Sequence, residues 1–258
     1  MKITVLAENI SHFDGIKAEH GLSLFIETDR HKILFDMGQT SLFAENAEKL
    51  GIDLESVDIA ILSHGHYDHG GGLKKFLEIN KTAPVYISRY AFGEHYNGTE
   101  KYIGLDKALQ NEPRLIFTNE EIRIDSQLSL YSCNSNERKH NLGSFGLNMK
   151  QSGKFLPDDF RHEQYLLINE NGKHILISGC SHKGVMDIAE WFEPDVLIGG
   201  FHYSKIEPGD KLKQYSQTLA TRKTDYYTCH CTGTEQYEFM RDYIPNLNYI
   251  SCGEAIEI

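Results

Sequence analysis

The chain has 258 residues and carries 26 Lys and Arg against 37 Asp and Glu, a formal net charge of −11 at pH 7. This acidic balance argues against nucleic acid as the main partner, because affinity for nucleic acid comes largely from basic side chains that neutralise phosphates. Hydrophobic residues make up 40% and charged residues 24%, which is ordinary globular usage and excludes a disordered or fibrous chain. We therefore expect one globular domain over residues 1–258.

The lack of targeting signals in the sequence and the sparse cysteines bear on the cellular compartment of the protein. No run of about 18 apolar residues occurs, and the first residues lack the basic start and apolar stretch of a secretory signal. We therefore expect a cytoplasmic protein without a membrane partner. The cysteines are sparse and odd in number, which favours reduced thiols over a disulfide framework. They are Cys133, Cys180, Cys229, Cys231 and Cys252.

Strands and helices are predicted along the whole chain from apolar periodicity and turn residues. In the first half we expect strands at Lys2–Ala7, Leu22–Glu27, Lys32–Asp36, Val57–Leu62 and Val85–Ser88, a hairpin turn over 28–31, and helices at Ser41–Leu50 and Leu73–Ile79. In the second half we expect strands at Arg114–Phe117, Leu128–Ser132, Gln164–Ile168, His174–Ser178, Val196–Ile198 and Asp225–Cys229, and helices at Val185–Phe192, Lys211–Thr221 and Glu235–Tyr243. This mixture favours a layered α/β fold.

The segment Cys133–Phe160 differs from the rest of the chain. It is rich in Asn, Ser, Gly and charge, shows little periodicity, and is longer than most connections in compact domains. We interpret it either as a lid over a functional site or as a disordered excursion. Arg138 and Lys139, with His140 and Lys150, are cations that could bind an anionic substrate from such a lid, although loop cations are more often simply solvated.

A cluster of metal-ligand residues lies between a predicted strand and a predicted helix. His64, His66, Asp68 and His69 fall within six residues. Alternate residues of an extended backbone project to one side, so His64 and His66 can bind one ion while Asp68 and His69, beyond the bend, face a second. Imidazole and carboxylate suit zinc, iron or manganese. The spacing therefore predicts a site for two divalent metal ions, with zinc as the first choice.

Two ions need further ligands, and later strands supply candidates. His182, His202 and His230 each lie just beyond an apolar strand, and strand ends of an α/β fold are where ligands are best collected. Cys180, two residues before His182, is either a metal ligand or a small buried hydrophobe.

The cysteines on either side of His230 have a different expectation. Side chains alternate in a strand end, so if His230 faces the metals, Cys229 and Cys231 face away from them and pack in the interior. The remaining histidines have no partner spacing, and we expect surface or satisfied core roles for them. They are His12, His31, His95, His140, His162 and His174.

These motifs carry a family resemblance over nearly the whole chain. The cluster of residues 64–69 after a strand, Asp36 before Gly38, and His230 near the end resemble the metallo-β-lactamase superfamily. A subgroup named after a dihydropterin ribofuranosylaminobenzene 5′-phosphate synthase is similar in further motifs. These are Glu19-His20-Gly21-Leu22-Ser23, Asp36-Met37-Gly38-Gln39-Thr40, Gly179-Cys180-Ser181-His182 and Gly199-Gly200-Phe201-His202.

The resemblance implies an α/β fold built as a four-layer αββα sandwich with a dinuclear metal site. It implies that His64 and His66 bind the first ion, that Asp68, His69 and His230 bind the second, and that Asp36 orients ligands by hydrogen bonds. Cys180 stands where many members have a bridging aspartate, and His182 is the candidate third ligand of the first ion. His20 is a further candidate for a supporting contact near Asp36.

The predicted function is a metal-dependent hydrolase that acts on an ester, phosphoester or related bond of a small anionic substrate. Asp68 is the expected group that orients the attacking water, and His202 the expected group that stabilises an oxyanion or protonates the leaving group. One alternative is a transferase that joins a dihydropterin diphosphate to a ribofuranosylaminobenzene 5′-phosphate. A second alternative is a non-catalytic metal-dependent sensor. The sequence predicts no oligomeric state.

Overall fold

A computed structural model describes all residues from 1 to 258. The strands, in chain order, are β1 (Lys2–Ala7), β2 (Ser23–Glu27), β3 (Lys32–Phe35), β4 (Ile59–Ile61), β5 (Val85–Ser88), β6 (His95–Asn97), β7 (Lys101–Tyr102), β8 (Leu115–Thr118), β9 (Glu121–Arg123), β10 (Leu128–Tyr131), β11 (Leu147–Gln151), β12 (Lys154–Pro157), β13 (Tyr165–Glu170), β14 (Lys173–Ile177), β15 (Val196–Gly199), β16 (Asp225–Thr228), β17 (Leu247–Tyr249) and β18 (Ala255–Glu257).

The α-helices are α1 (Leu42–Lys49), α2 (Tyr67–Gly70), α3 (Leu73–Ile79), α4 (Val185–Phe192), α5 (Asp210–Ala220) and α6 (Thr234–Met240). Short 3-10 turns lie at Leu54–Ser56, Lys107–Leu109 and His230–Thr232. The predicted strands and long helices are confirmed, with most ends shifted by only about one or two residues, as is usual for assigned boundaries. None of the helices has the length and apolar character needed to cross a membrane.

The chain forms two compact units. Unit 1 comprises Met1–Asn119, Gly146–Gln164 and Ser251–Ile258, and unit 2 comprises Glu120–Phe145 and Tyr165–Ile250. Each unit has its own large sheet and its own cluster of buried apolar side chains. The single domain expected over 1–258 stays a prediction.

The main sheet of unit 1 has seven strands in the order β18-β1-β2-β3-β4-β5-β8. The predicted hairpin joins β2 and β3, where the backbone N–H of Thr28 donates to the carbonyl of His31 at 2.9 Å. From β3 onward the strands run parallel, and Phe43 of α1 and Phe76 of α3 are fully buried in the core. Because parallel strands end at one edge, Asp36 after β3 and His64 after β4 come together there.

A second, four-stranded sheet of unit 1 has the order β12-β11-β6-β7. Residues 147–157, expected to be aperiodic, instead form the β11–β12 hairpin. Met149 of β11 pairs with Leu156 of β12 on one side and with His95 of β6 on the other. The pattern was not visible in the sequence because β12 is exposed along its whole length and shows no apolar alternation. A lid role for 133–160 stays a prediction.

The sheet of unit 2 has seven strands in the order β17-β16-β15-β14-β13-β10-β9. Strands β14 to β17 are parallel, with Ile177 opposite Ile198 and Gly199 opposite Thr228. Their apolar residues face a core that contains Leu176, Leu197 and helix α4. The ends of β14, β15 and β16 therefore present the three segments that carry Cys180 with His182, His202, and His230.

Candidate metal centre

The predicted ligand loop leaves β4 and enters α2. His64, His66, Asp68 and His69 are all buried, and the rings of His64 and His66 have centroids 4.6 Å apart, with those of His64 and His69 4.2 Å apart. His66 is extended at φ −96° and ψ 147°, and helix α2 begins at the next residue. This change from extended to helical backbone is the bend expected between the two pairs of ligands. The loop therefore brings the predicted unit 1 ligands into one cluster.

Asp36 joins two of these histidines in one hydrogen-bond network. Its Oδ2 lies 2.6 Å from Nδ1 of His69 and accepts the hydroxyl of Ser63 at 2.7 Å, and its Oδ1 accepts the backbone N–H of Ser63 at 2.7 Å. The same Ser63 oxygen lies 2.8 Å from Nδ1 of His64. Asp36 thus contacts the loop at several points while fully buried.

This network fixes the tautomers of both rings. An ionised carboxylate only accepts hydrogen bonds, so Nδ1 of His69 must donate to Asp36. Ser63 has one hydroxyl hydrogen, which it donates to Asp36 in a hydrogen bond, so its oxygen must accept a hydrogen bond from Nδ1–H of His64. Both imidazoles, if neutral, therefore present an unprotonated Nε2, the form that binds a metal.

The spacing of Asp68 and His69 fits one ion. Oδ2 of Asp68 lies 3.9 Å from Nε2 of His69, and two ligand atoms that each bond zinc at about 2.1 Å can be up to about 4.2 Å apart. His20 lies beside Asp68, with Nε2 3.2 Å from the same Oδ2, and its expected place near Asp36 stays a prediction. Its side chain is 55% exposed, so it approaches the carboxylate from the solvent side.

Glycines let the ligand loop lie directly against neighbouring backbone. A Cβ on Gly65 would lie 2.2 Å from the carbonyl oxygen of Ala91, and one on Gly72 would lie 2.1 Å from that of Met37. No side chain fits at such distances, so these positions require glycine. The loop is thereby held in place from both sides.

Three residues outside the predicted ligand set lie next to the cluster. His95, Asp158 and His162 are buried beside His66, whose ring centroid is 5.6 Å from that of His95 and 5.1 Å from that of His162. Burial, together with the neighbouring His162, lowers the pKa of His66 well below its ordinary value. His66 is therefore neutral at pH 7, as metal binding requires.

Asp158 holds the two other histidines. Its Oδ2 lies 2.8 Å from Nδ1 of His95 and 3.4 Å from Nε2 of His162, and its Oδ1 accepts the backbone N–H of Phe160 at 2.8 Å. Burial opposes ionisation, but His162 and His95 together hold the pKa of the Asp158 carboxyl well below its usual range. Burial and His95 lower the pKa of His162.

The contacts of His162 make it a support for the ligand loop. Its Nδ1 accepts the backbone N–H of Gly65 at 2.9 Å, between His64 and His66. A neutral ring that accepts at Nδ1 carries its proton on Nε2, so that nitrogen faces Asp158 as a donor and has no lone pair for a metal. His162 therefore positions the loop. Its only sequence signal is Asp158 four residues earlier.

In unit 2 the predicted residues lie at the ends of three parallel strands. Cys180 and His182 follow β14 and are buried, His202 follows β15 and is partly buried, and His230 opens a turn after β16 and is buried. The rings of His182 and His202 have centroids 4.3 Å apart. These two histidines are therefore neighbours within unit 2.

Cys231 is not placed as strand alternation predicted. Strand β16 ends at Thr228, and His230 begins a 3-10 turn with φ +49°, so alternation does not extend to residue 231. The turn brings the Cys231 thiol to 3.5 Å from the carbonyl oxygen of Cys180. Both Cys229 and Cys231 are buried, and their packing role stays a prediction.

The cations predicted to bind substrate have structural partners where contacts are described. Lys139 forms an ion pair with Glu190 of α4. The backbone N–H groups of Lys139 and His140 each donate to the carboxylate of Asp187 at 3.0 Å. Lys139 is thus tied to α4, and substrate binding by Arg138 and Lys139 stays a prediction.

The chain belongs to the metallo-beta-lactamase superfamily, which its sequence matches over residues 16–218. The expected fold class is confirmed by this match and by a solved structure of the same fold. That structure is Tm1679, described as a metal-dependent hydrolase of the beta-lactamase superfamily. It is 28% identical, with a TM-score of 0.85 over 100% of this chain and 99% of that one.

Two proteins of Methanocaldococcus jannaschii are similar in sequence. An uncharacterized protein is 30% identical over 248 residues, which are 90% of each chain. The 7,8-dihydropterin-6-methyl-4-(beta-D-ribofuranosyl)-aminobenzene-5′-phosphate synthase is 28% identical over 289 aligned positions, covering 100% of this chain and 96% of that one. The predicted resemblance to the subgroup of this synthase is therefore confirmed.

Proposed function

We propose that this protein is a metal-dependent hydrolase that activates water at a dinuclear centre. The observation that carries the proposal is the Asp36–Ser63 network, which gives His64 and His69 the tautomer that binds metal. Metal-binding histidines almost always donate their other ring N–H to a supporting group, as Nδ1 of His69 does to Asp36 and Nδ1 of His64 does to Ser63. We propose zinc, because a ligand set dominated by imidazole with a carboxylate suits it.

The ligand assignment follows the order of the loop. His64 and His66 would hold one ion, and Asp68 and His69 would hold the other, as the distance between their ligand atoms allows. His182 and His230 stay predicted ligands on the strength of the family resemblance. Bound metal would polarise the scissile group and lower the pKa of water.

Asp68 is the proposed catalytic carboxylate of the chain. It is 9% exposed and is held between His20 and His69 by contacts of its Oδ2. An ionised carboxylate only accepts hydrogen bonds, so Asp68 would accept one from the reacting water and so orient it. His202 stays the predicted group for an oxyanion or leaving group.

We propose an anionic small molecule as the substrate class. Tyr67, within the ligand loop, accepts a hydrogen bond from Nζ of Lys101 at 3.3 Å, and the ammonium also lies 5.2 Å from the centre of its ring. This pair places a positive charge beside Tyr67, the residue that follows His66 in the chain. A phosphate or carboxylate on the substrate would be attracted to it.

A second candidate function is group transfer with pyrophosphate as leaving group. It is favoured by the similarity to the synthase, which extends over the whole chain. The same loop residues would then bind the ions that hold a diphosphate. Release of pyrophosphate only in the presence of a second, acceptor substrate would distinguish transfer from hydrolysis.

The test combines metal content with turnover. Protein purified with zinc should hydrolyse at least one member of a panel of phosphodiesters, phosphomonoesters, lactones and thioesters. The variant His64→Ala/His66→Ala should lose both activity and bound metal, whereas His174→Ala, an exposed histidine of unit 2, should retain both. Full metal content without turnover on the panel or pyrophosphate release would favour the sensor. Activity that survives the double variant would refute the proposal.

A further inference from the structure

The ends of three neighbouring strands of unit 2 bring together two thiols and an imidazole. Cys180 follows β14, His202 follows β15 and Cys231 follows β16. One ligand atom of each residue lies within 4.8 Å of those of the other two. Both thiols are almost fully buried, with Cys180 3% and Cys231 7% exposed.

The backbone around this cluster is held in an unusual conformation. Ser181, His202 and His230 have φ of +54°, +56° and +49°. Residues with a side chain rarely occupy this left-handed region, and such residues concentrate at functional sites because surrounding structure must hold them there. Each strained residue belongs to the cluster or is adjacent to one of its cysteines.

The packing also makes room for one of the thiols. A Cβ on Gly200 would lie only 2.4 Å from Sγ of Cys231, so glycine is what lets the thiol approach the end of β15. Nδ1 of His202 is buried and has no hydrogen-bond partner. A buried imidazole nitrogen without a partner is unfavourable unless something binds it.

We propose that Cys180, His202 and Cys231 form a cation site that binds a zinc-class divalent ion through two thiolates and one imidazole. Two sulfurs that each bond zinc at about 2.3 Å can be up to about 4.6 Å apart, so the observed cluster requires only small side-chain adjustments. Three protein ligands leave a fourth position for water or substrate. Cys231, which the sequence predicted to pack in the interior, would then be a metal ligand. Cys180, which the sequence left as either a ligand or a buried hydrophobe, would be a ligand too.

The assignment also changes what His202 can do. A metal-bound imidazole cannot at the same time protonate a leaving group through the bound nitrogen. His202 can therefore either bind this metal ion or serve the predicted oxyanion or leaving group, but not both through the same nitrogen. A metal ion bound to sulfur would indicate the first role.

Cobalt titration of the reduced, metal-free protein tests the site, because Co²⁺ bound to thiolate gives a near-ultraviolet charge-transfer absorption that histidine and carboxylate ligands do not. We expect this band in the natural sequence. In Cys231→Ser and in Cys180→Ser, the band and one equivalent of bound cobalt should both be lost. Cys229→Ser, which removes a buried thiol outside the cluster, should retain it. The double variant His64→Ala/His66→Ala should also retain the sulfur band. A failure of the hydrolase proposal can therefore be distinguished from a failure of this site.

A second measurement covers the case in which a cysteine variant does not fold. In the natural sequence, zinc should slow alkylation of Cys180 and Cys231 at least about tenfold, since a metal holds the thiolate, and should leave Cys252 unchanged. Cobalt that binds without a sulfur band would overturn the site. A band that disappears in Cys180→Ser but persists in Cys231→Ser would also overturn it, because sulfur ligation would then involve Cys180 without Cys231.

Discussion

Replacement of Asp36 by asparagine tests the network that prepares the ligand loop. An asparagine of the same shape has one acceptor where the carboxylate has two. If the amide oxygen takes the Oδ2 position, it still accepts from His69 and Ser63, but the NH₂ group then faces the backbone N–H of Ser63. In the other orientation the NH₂ faces Nδ1 of His69, which forces the proton onto Nε2 and blocks metal binding.

The magnitude follows from these contacts. A buried N–H without an acceptor costs about 1–3 kcal/mol, and each remaining bond loses about 1 kcal/mol when its acceptor is no longer charged. Relief from burying a charge offsets part of this, so we expect a net loss of about 2–4 kcal/mol in the free energy of unfolding. Metal affinity should fall about 10- to 100-fold, the usual effect of losing a carboxylate behind a histidine ligand.

The assay is competition for zinc against a coloured chelator, with urea unfolding of the metal-free protein for stability. Asp58→Asn is the matched control, because Asp58 lies 3.6 Å from His31 on the surface with its side chain 48% exposed. Such a pair contributes little, so we expect a change below about 1 kcal/mol and unchanged zinc affinity. Asp36 tolerates asparagine in its left-handed backbone, φ +59°. Equal zinc affinity in Asp36→Asn and Asp58→Asn would refute the tautomer argument.

Three further predictions concern the surroundings of the loop. His162→Asn keeps an acceptor near the N–H of Gly65 and should retain zinc affinity within about tenfold, whereas His162→Leu should lose more; equal affinities would contradict a positioning role. The pKa of Asp158 is depressed, so the stability advantage of the natural sequence over Asp158→Asn should be full above about pH 4 and shrink as the pH falls further; urea midpoints that keep a constant separation would contradict this. Lys101→Ala should raise KM for an anionic substrate about two- to fivefold with little change in kcat, while Lys107→Ala should not; equal KM values would exclude the anion contact.

The local parts of the site could be predicted from the sequence. The residues of the ligand loop are close in the chain, and a strand followed by a helix leaves few ways to arrange them. Asp36 was predictable only through the family resemblance, because its contact with His69 joins the end of β3 to helix α2, 33 residues later in the chain. Strand and helix positions followed from apolar periodicity, except where strands are short or exposed, as in β12.

The remaining site residues depend on contacts that no spacing reveals. Asp158 is 63 residues from His95 in the chain, and their meeting depends on the β11–β6 pairing that the sequence did not indicate. The alternation expected up to Cys231 fails because β16 ends at Thr228 and a 3-10 turn with a left-handed His230 follows. Backbone strain of this kind is imposed by tertiary structure, so the conformational propensities of the residues do not predict it.

The left-handed residues of unit 2 also have a consequence for engineering. Ser181 has φ +54°, a conformation that glycine adopts freely and other residues at a cost of about 1–3 kcal/mol. A screen for heat resistance would therefore favour Ser181→Gly. The same change would remove the hydroxyl that contacts Ser178 at 2.8 Å and free the backbone between Cys180 and His182. Selection for stability alone would thus weaken the geometry at this strand end, so variants of this protein should be chosen by thermal resistance and metal retention together.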